Sequence, residues 1–534
     1  MRVDAKLVVA VLLGACQAQG PQSGAGNRAG LASAAPAKPA PTVDILKHEV
    51  PLDMKVVRNL TAHVPPQCYT KTRSADGSVH NPCYTCHVSS RAPNYIDDAD
   101  LQTEYSFSHA GAALPWTNLL IDWTERIRAV SDQDIGAYVR QSNYFAADGS
   151  ITLAQKLASP PRDWDADDDG KWAGYVPDAY FRFDERGFDH APNGDYTGWR
   201  AFAYYPLPGT FFPTNGSMGD VLIRLPEEFR KDEAGHFSVE SYERNLSAVE
   251  ASIARRDGVA YAGQARTLQQ AGKLASAAGL FPVGTEFLHT VRYLDPRPGG
   301  GVALAARMKE VRYAKKYEWW SYEKLEERAR DEAAEEANDP NELKSFGGQF
   351  ETGVLNEQGW RYQGFIEDAR GELRPQTFEE TAYCVGCHGG VGRTEDGIFS
   401  FARKLDAKAF QGGWFHWSQR DLKDVGDRGE YSRYLEVNGA GDEFRQNAEV
   451  SQRFFDANGK LKPNAKKTLA HDASALLAPS PERALALNKA YRLLVQEQSF
   501  RFGRELVLDG AKNVHQRVPI DEKTGVGEPI ALLP

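Results

Sequence analysis

The pentapeptide Cys-x-x-Cys-His occurs twice in this chain, at 83–87 and at 384–388. Each copy places two thiols three residues apart and an imidazole directly after the second thiol. Thiols at this spacing can each add to a vinyl group of one porphyrin, and the histidine that follows can bind the iron as its proximal ligand. We therefore predict two covalently attached haem c groups. The attaching and ligating residues are Cys83, Cys86, His87, Cys384, Cys387 and His388.

Other uses of a Cys-x-x-Cys pair fit the sequence less well. The chain has only 6 Cys and 12 His in 534 residues, so two chance matches to the full pentapeptide are improbable. A zinc site would need a second Cys or His pair at ligand spacing near each copy, and neither copy has one. A thioredoxin-like pair belongs to a cytosolic chain, which the N-terminus argues against.

The ligand on the other side of each iron decides the reaction. A second strong ligand gives an electron carrier, whereas an open or displaceable position permits substrate chemistry. For the first haem we predict His63 or His109, because each is far enough from His87 in sequence to reach the opposite face of the ring. For the second haem we predict His416, which has aromatic neighbours. Further candidates for the second haem are His515 and Met308.

The N-terminus predicts export. A short basic start is followed by the apolar run Leu7 to Leu13, which suits a signal sequence and is too short to span a bilayer. The segment ending in Cys16 resembles the bacterial lipoprotein box, which implies that Cys16 is acylated. By the same resemblance, Gln17 directly after the acylated cysteine favours delivery to the outer membrane, with the protein in the periplasm. The alternative is a plain secretory signal in which Cys16 is lost on cleavage. Residues 17–41 are rich in Ala, Gly, Pro and Gln, which predicts a flexible tether.

Cys68 is left over once Cys16 is assigned to lipid and four cysteines to thioethers. It could ligate the first haem as a thiolate, or stand beside that haem as a thiol that handles a sulfur substrate. This arrangement is similar to thiosulfate-oxidising cytochromes, in which a cysteine ligates a haem. Two further readings stay open: a buried unreactive thiol, and an expanded attachment motif in which Cys68 replaces Cys83.

Around these sites the chain divides into three regions. Residues 42–160 and 318–534 carry the haem motifs and show apolar residues at helical spacing. Residues 161–317 contain short strand-like stretches, including a hairpin around the turn cluster Pro296 to Gly301. We predict an α+β fold with helical c-type haem-binding regions at both ends and an interposed mainly β region.

An acidic loop in the β region matches the first half of a calcium-binding loop. Asp165, Asp167 and Asp169 stand at loop positions 1, 3 and 5, with Gly170 at the position of the sharp turn. Position 12 is Val176, where a bidentate glutamate belongs. Two readings stay open: an exposed acidic turn, and a Ca²⁺ site completed by another carboxylate. The candidate for that further carboxylate is Asp178.

The stretch Phe378 to Thr394, around the second motif, resembles exported c-type cytochromes, and the chain resembles a di-haem c-type cytochrome carried on an exported lipoprotein. The resemblance implies electron transfer in the envelope, with envelope redox proteins as partners and a lipid anchor to the membrane. The alternative is a di-haem oxidoreductase acting on a sulfur compound or peroxide at the first haem; a third reading makes both haems structural. A formal net charge of −10 argues against nucleic acid as a partner.

Overall fold

The longest strands form a hairpin in the middle of the chain. Strand β4 (Glu286–Pro296) pairs with strand β5 (Val302–Lys316) in antiparallel register, with Phe287 opposite Ala314 and His289 opposite Arg312. The Gly/Pro-rich turn between two stretches of alternating apolar residues predicts this hairpin. The strand pairing confirms it.

The hairpin is the centre of a nine-stranded antiparallel sheet in the order β1-β2-β3-β4-β5-β8-β7-β6, with β9 paired to β8. The remaining strands are β1 (Phe188–His190), β2 (Tyr196–Ala201), β3 (Val221–Arg224), β6 (Gly348–Gln349), β7 (Gly353–Leu355), β8 (Trp360–Glu367) and β9 (Leu373–Pro375). This computed structural model describes residues 50, 52, 57–71, 77, 82–209, 215–256, 259–297, 300–399, 401–404, 425–440 and 442–530. Cys16, the tether at 17–41 and His416 lie outside the described residues.

Helices are scattered around the sheet. Those described are α1 (Thr124–Arg128), α2 (Asp132–Arg140), α3 (Thr152–Leu157), α4 (Val239–Ile253), α5 (Gly263–Gln270), α6 (Tyr322–Asn338), α7 (Phe378–His388), α8 (Glu430–Asn438), α9 (Ala448–Phe454), α10 (Ala465–His471), α11 (Ser474–Leu477) and α12 (Pro481–Glu497). Short 3₁₀ turns lie before, between and after these helices, at Pro66–Tyr69, Cys83–Thr85, Ala99–Gln102, Thr117–Leu120, Arg162–Trp164, Glu227–Arg230, Phe401–Arg403 and Phe500–Phe502.

Both faces of the sheet are covered by other parts of the chain. Successive strand residues point to opposite faces, so Phe287 and Leu288 belong to different cores. Phe287 packs in a core with Tyr242 of α4 and Val385 of α7. Leu288 packs in a core built from the chain before β1. We call the face that bears Phe287 the α7 face.

The predicted fold, α+β with helical c-type haem-binding regions at both ends and an interposed mainly β region, is wrong. The structure is a large antiparallel sheet with scattered helices, and strands β6 to β9 lie within the region predicted as the C-terminal haem domain. Before α1 the described chain forms short 3₁₀ turns. Its backbone instead pairs with the C-terminal segment, as in the bridges Thr70 to Val514 and Ala113 to Arg517.

The physical reason for this difference is where the backbone hydrogen bonds go. A buried amide needs a partner, and in residues 57–122 several partners come from 508–523 and not from the next helical turn. Ile45–Pro534 accordingly form one compact unit. The region boundaries at residues 160 and 317 stay predictions about the sequence.

Candidate functional site

The two Cys-x-x-Cys-His motifs line one cavity. Its volume is about 1330 Å³, and it opens between the α7 face of the sheet, helix α6 and the turns of residues 63–111. This is larger than the roughly 300–1,000 Å³ of a typical small-molecule pocket. The motif residues on its wall are Cys83, Cys86, His87, Cys384, Cys387 and His388. The fold therefore brings together two motifs that lie far apart in sequence.

Helix α7 positions the second motif on its last turn. The helix begins with a capping box, in which the Thr377 side chain accepts from the amide of Glu380 and Glu380 accepts from the amide of Thr377. Arg374 binds both carboxylate oxygens of the buried Glu380, at 2.8 and 2.9 Å. This network fixes the start of the helix and, through it, the direction in which Cys384 and His388 leave its other end.

Gly386 lets another segment approach the second motif closely. A Cβ at this position would lie 1.9 Å from the carbonyl oxygen of His63, so only glycine fits without movement of the backbone. The segment that bears His63 and Cys68 is thereby held against α7.

The first motif is shaped by a short turn and by one carboxylate. The amide of His87 donates to the carbonyl of Cys83 at 2.8 Å, which closes the turn. Nδ1 of His87 lies 2.7 Å from Oδ2 of Asp98, and Oδ1 of Asp98 accepts from the amide of Val88 at 2.9 Å. An imidazole held at Nδ1 by a carboxylate leaves Nε2 to bind a metal, which is the usual arrangement of metal-binding histidines.

Asp98 also links the two motifs. Its Oδ2 atom accepts a hydrogen bond at 3.0 Å from the amide of Gly392, four residues beyond His388. Gly392 lies close to this carboxylate, since a Cβ on it would be 2.4 Å from Oδ1. A single buried side chain therefore sets the position of the His87 ring and of the chain that follows the second motif.

One histidine and one arginine on neighbouring strands also belong to the cavity wall. His289 of β4 and Arg312 of β5 are paired across the sheet and both line the cavity. Burial, followed by the charge of Arg312, lowers the pKa of His388 to about 4 and that of His289 to about 3. These imidazoles are therefore neutral at physiological pH, which is the form that binds a metal. A backbone hydrogen bond at Gly397 acts on His388 in the opposite direction.

Cys68 lies in the same cavity. Burial raises the pKa of its thiol, and Cys83, Cys387 and Cys86 raise it further, so it stands close to both motifs. Burial also raises the pKa of Cys83 to about 12. Such thiols are protonated at neutral pH and are poor nucleophiles in the absence of another group.

The predicted distal ligands are placed differently from one another. His63 lines the cavity, its ring packs edge-on against Phe346, and burial followed by Lys344 lowers its pKa to about 4. His109 is exposed and is not part of the cavity wall. The other two candidates also lie away from the wall. His515 packs against Tyr105, and Met308 is buried in the core on the opposite side of the sheet.

The mouth of the cavity is acidic. Its carboxylates come from α6, from the loops that follow it and from the segment around Asp98: Asp97, Asp100, Glu104, Glu326, Asp331, Glu332, Glu335, Glu336, Asp339 and Glu342. Burial, Asp100 and Glu332 raise the pKa of Glu336, which shows how closely these groups crowd. Arg328 and Lys344 offset part of this charge through ion pairs with Glu332.

The donor side chains of the cavity are spread apart along its wall. In the part of the chain that the structure describes, one group of three His, Cys, Asp or Glu donors lies within 4.8 Å, and it contains no Cys or His. The motif thiols and imidazoles therefore do not form a compact zinc or iron–sulfur shell. They are spread along the wall of a large cavity that also has apolar residues, among them Leu101, Phe287, Ile398 and Phe399.

That group of three donors is the acidic loop with a carboxylate from elsewhere. Asp165 and Asp167 meet the buried Glu351, which precedes β7 and stands in for the missing glutamate of the loop. Both oxygens of Glu351 accept backbone amides of the loop, from Ala166 and Ala173. Asp178, the carboxylate proposed from sequence, instead binds Trp199 and Arg224. Calcium in this loop stays a prediction.

Sequence reasoning missed His289, Arg312 and Asp98. A signal for His289 was present: it occupies the same strand face as Phe287 and Val291, both buried, so the alternation places a histidine where an apolar residue is expected. Asp98 had no such signal, because its role depends on the distant Gly392.

Comparison with known proteins shows the family. Residues 52–473 match a family model whose description ends in "-like lipoprotein". The chain belongs to this lipoprotein family. It is also 30% identical to an "Uncharacterized lipoprotein" of Aquifex aeolicus (strain VF5) over 556 aligned positions, which cover 89% of this chain and 91% of the relative. No solved structure matches significantly.

Membership of this family implies that the lipoprotein is exported and anchored to a membrane by lipid. The predicted lipoprotein character of the chain is confirmed at this level. Among the described helices, none has the length and apolar character needed to cross a bilayer.

Proposed function

We propose that the lipoprotein is a di-haem c-type cytochrome that transfers electrons in the cell envelope. The observation that carries the proposal is the convergence of both Cys-x-x-Cys-His motifs on one cavity of about 1330 Å³. Two unrelated occurrences of the pentapeptide would have no reason to share a cavity, whereas two haems that exchange electrons must be neighbours. Haem, when bound, supplies a one-electron iron couple.

The residues of the chain have separate roles in this proposal. Cys83 and Cys86 would hold one haem, and Cys384 and Cys387 would hold the other. His87 and His388 would each bind one iron. Asp98 orients the His87 ring through Nδ1, and its negative charge would favour the oxidised state of an iron bound there. The apolar part of the wall excludes water, which lowers the local dielectric and strengthens these electrostatic effects.

The acidic mouth supports a partner with a basic surface. Opposite charges steer the encounter of two proteins and raise the association rate at low ionic strength. We propose a basic redox protein of the envelope as partner. A lipid anchor at Cys16 would hold the lipoprotein at the outer membrane, facing the periplasm, within reach of such a protein.

Mass spectrometry of the denatured protein tests the attachment. The full chain, produced in a host that attaches haem c, should carry two haems after denaturation. The variants C83S/C86S and C384S/C387S should each carry one haem, and C68S should carry two. An unmodified wild-type polypeptide would contradict the proposal. If C68S carries only one haem, Cys68 is instead one of the residues that attach the first haem.

A second function is favoured by the position of Cys68. Its thiol stands near Cys83, Cys86 and Cys387, so a small sulfur compound or peroxide that entered the cavity could meet both a thiol and the first haem. In this alternative the lipoprotein is a di-haem oxidoreductase. Thiosulfate or peroxide should then change the haem spectrum of the wild type and not of C68S. If neither compound changes the haem spectrum of the wild type or of C68S, the oxidoreductase alternative is contradicted and the electron carrier remains.

A further inference from the structure

Four described histidines line the cavity, and two of them lie outside the attachment motifs. The motif histidines are His87 and His388, and the others are His63 and His289. Two haems with two axial ligands each would use four imidazoles. The number of cavity histidines therefore equals the number of axial positions.

The sheet fixes the position of His289. In the antiparallel register Val221, His289, Arg312 and Gly364 form one row across β3, β4, β5 and β8. Residues paired in this way have side chains on the same face. The next row on the same face, two residues earlier on β4, contains Phe287, whose side chain packs in one core with Val385 of the second motif. His289 thus stands on the face over which α7 lies.

The surroundings of the His289 ring separate it from the first motif. The charged and titratable groups that face it include Arg312 and Glu310 of β5 and His388 of α7, and the ring of Tyr204 lies 6.3 Å away. His63, in contrast, faces Phe346 and Lys344. The motif histidine near His289 is therefore His388.

We propose that His289 is the distal axial ligand of the second haem, an inference that rests on the di-haem function proposed above. His388 on the last turn of α7 and His289 on the sheet would then be the two residues that hold this haem. A rigid strand is a precise support for a ligand, since the ladder on both sides of β4 fixes its backbone. His63 would be left for the first haem, for which the sequence predicts His63 or His109.

The variant H289A tests the ligand by spectroscopy of the oxidised protein. One of the two haems should change from low-spin to high-spin in EPR, and added imidazole should restore the low-spin signal. H236A is the matched control, because His236 is an exposed histidine outside the cavity, and it should leave both signals unchanged. Two low-spin haems in H289A, without added imidazole, would overturn the proposal.

A second variant protects the test from a folding defect. H289M keeps the volume of this partly buried position and offers a thioether as ligand, which raises the potential of a haem relative to a second imidazole. One haem should therefore have a higher midpoint potential in H289M. Two haems with wild-type potentials and spectra would overturn the proposal.

The failure of this inference differs from the failure of the proposed function. If the denatured wild type carries no haem, the function itself is wrong. If it carries two haems and H289A is spectroscopically wild type, the function stands and His289 is not a ligand. In the one-haem variant C384S/C387S, H289A should cause no further change. A change to high-spin there would assign His289 to the first haem and also overturn the proposal.

Discussion

Replacement of Asp98 by asparagine removes one negative charge and keeps the size of the side chain. Oδ2 of Asp98 accepts from Nδ1 of His87 at 2.7 Å and from the amide of Gly392 at 3.0 Å. An asparagine nitrogen in the position of Oδ2 would donate and could accept neither bond. Loss of an acceptor for a buried donor costs about 1–3 kcal/mol, so the two donors together give a destabilisation of about 2–6 kcal/mol for D98N.

The same substitution should raise the midpoint potential of the first haem. The carboxylate would make the His87 ring more electron-rich and so stabilise the oxidised state of an iron bound to it. If the oxidised state loses about 1–2 kcal/mol more than the reduced state, the potential rises by about 40–90 mV, because 59 mV corresponds to a factor of ten for one electron. The second haem should change less, since Asp98 reaches its motif only through Gly392.

Potentiometric titration and denaturant unfolding of the holoprotein measure the two effects. D97N is the matched control: it removes the same charge from the exposed neighbouring residue, which also lies at the cavity mouth. A general electrostatic effect would shift both variants equally. If D98N and D97N have the same potentials and the same unfolding midpoint, the assigned role of Asp98 is refuted.

Two further predictions concern stability. In G386A the new Cβ meets the His63 carbonyl oxygen at 1.9 Å, so the free energy of unfolding should fall by about 1–3 kcal/mol. The control is G136A, which has open space in α2 and should leave the free energy of unfolding unchanged or raise it by about 0.5–1 kcal/mol. Equal effects of the two variants would contradict the close contact at Gly386. Burial alone would raise the pKa of Glu310, but Arg312 and Arg504 lower it to about 2. A carboxyl group whose pKa is lowered on folding stabilises the protein above the unfolded pKa near 4.5, and this contribution is lost as the pH falls towards 2. Over that pH range the unfolding free energy of E310Q should therefore fall by about 3 kcal/mol less than that of the wild type. Parallel curves of unfolding free energy against pH would contradict this prediction.

The parts of this protein that the sequence could predict are those set by neighbouring residues. Each Cys-x-x-Cys-His pentapeptide is read from five consecutive positions, and the β4–β5 hairpin requires one turn between two stretches of alternating apolar residues. The N-cap of α2 is equally local, since Ser131 accepts from the amide of Asp134. Each of these depends on spacing within a few residues, which is visible in a single sequence.

The fold class depends on pairings that are not visible in this way. The residues from Trp116 to Ile127 have helical spacing, yet Asp122 bridges to Asp509, and the stretch forms a 3₁₀ turn followed by the short α1. Here the backbone exchanges a regular helix for contacts with a segment almost 400 residues away. Local periodicity is the same in both cases, so it cannot distinguish them.

The site shows the same division between local and distant information. The motifs name the residues that can attach a haem, but the surroundings of each motif come from elsewhere: His289 and Arg312 from the sheet, Asp98 from the turn after the first motif, and Cys68 from the segment that Gly386 admits against α7. Because an attached haem would be tuned by its axial ligand, by hydrogen bonds to that ligand and by burial, these residues would decide its reactivity. Haem therefore stays a prediction from two local pentapeptides, whereas its reaction depends on the residues that the sheet and the turns bring around them.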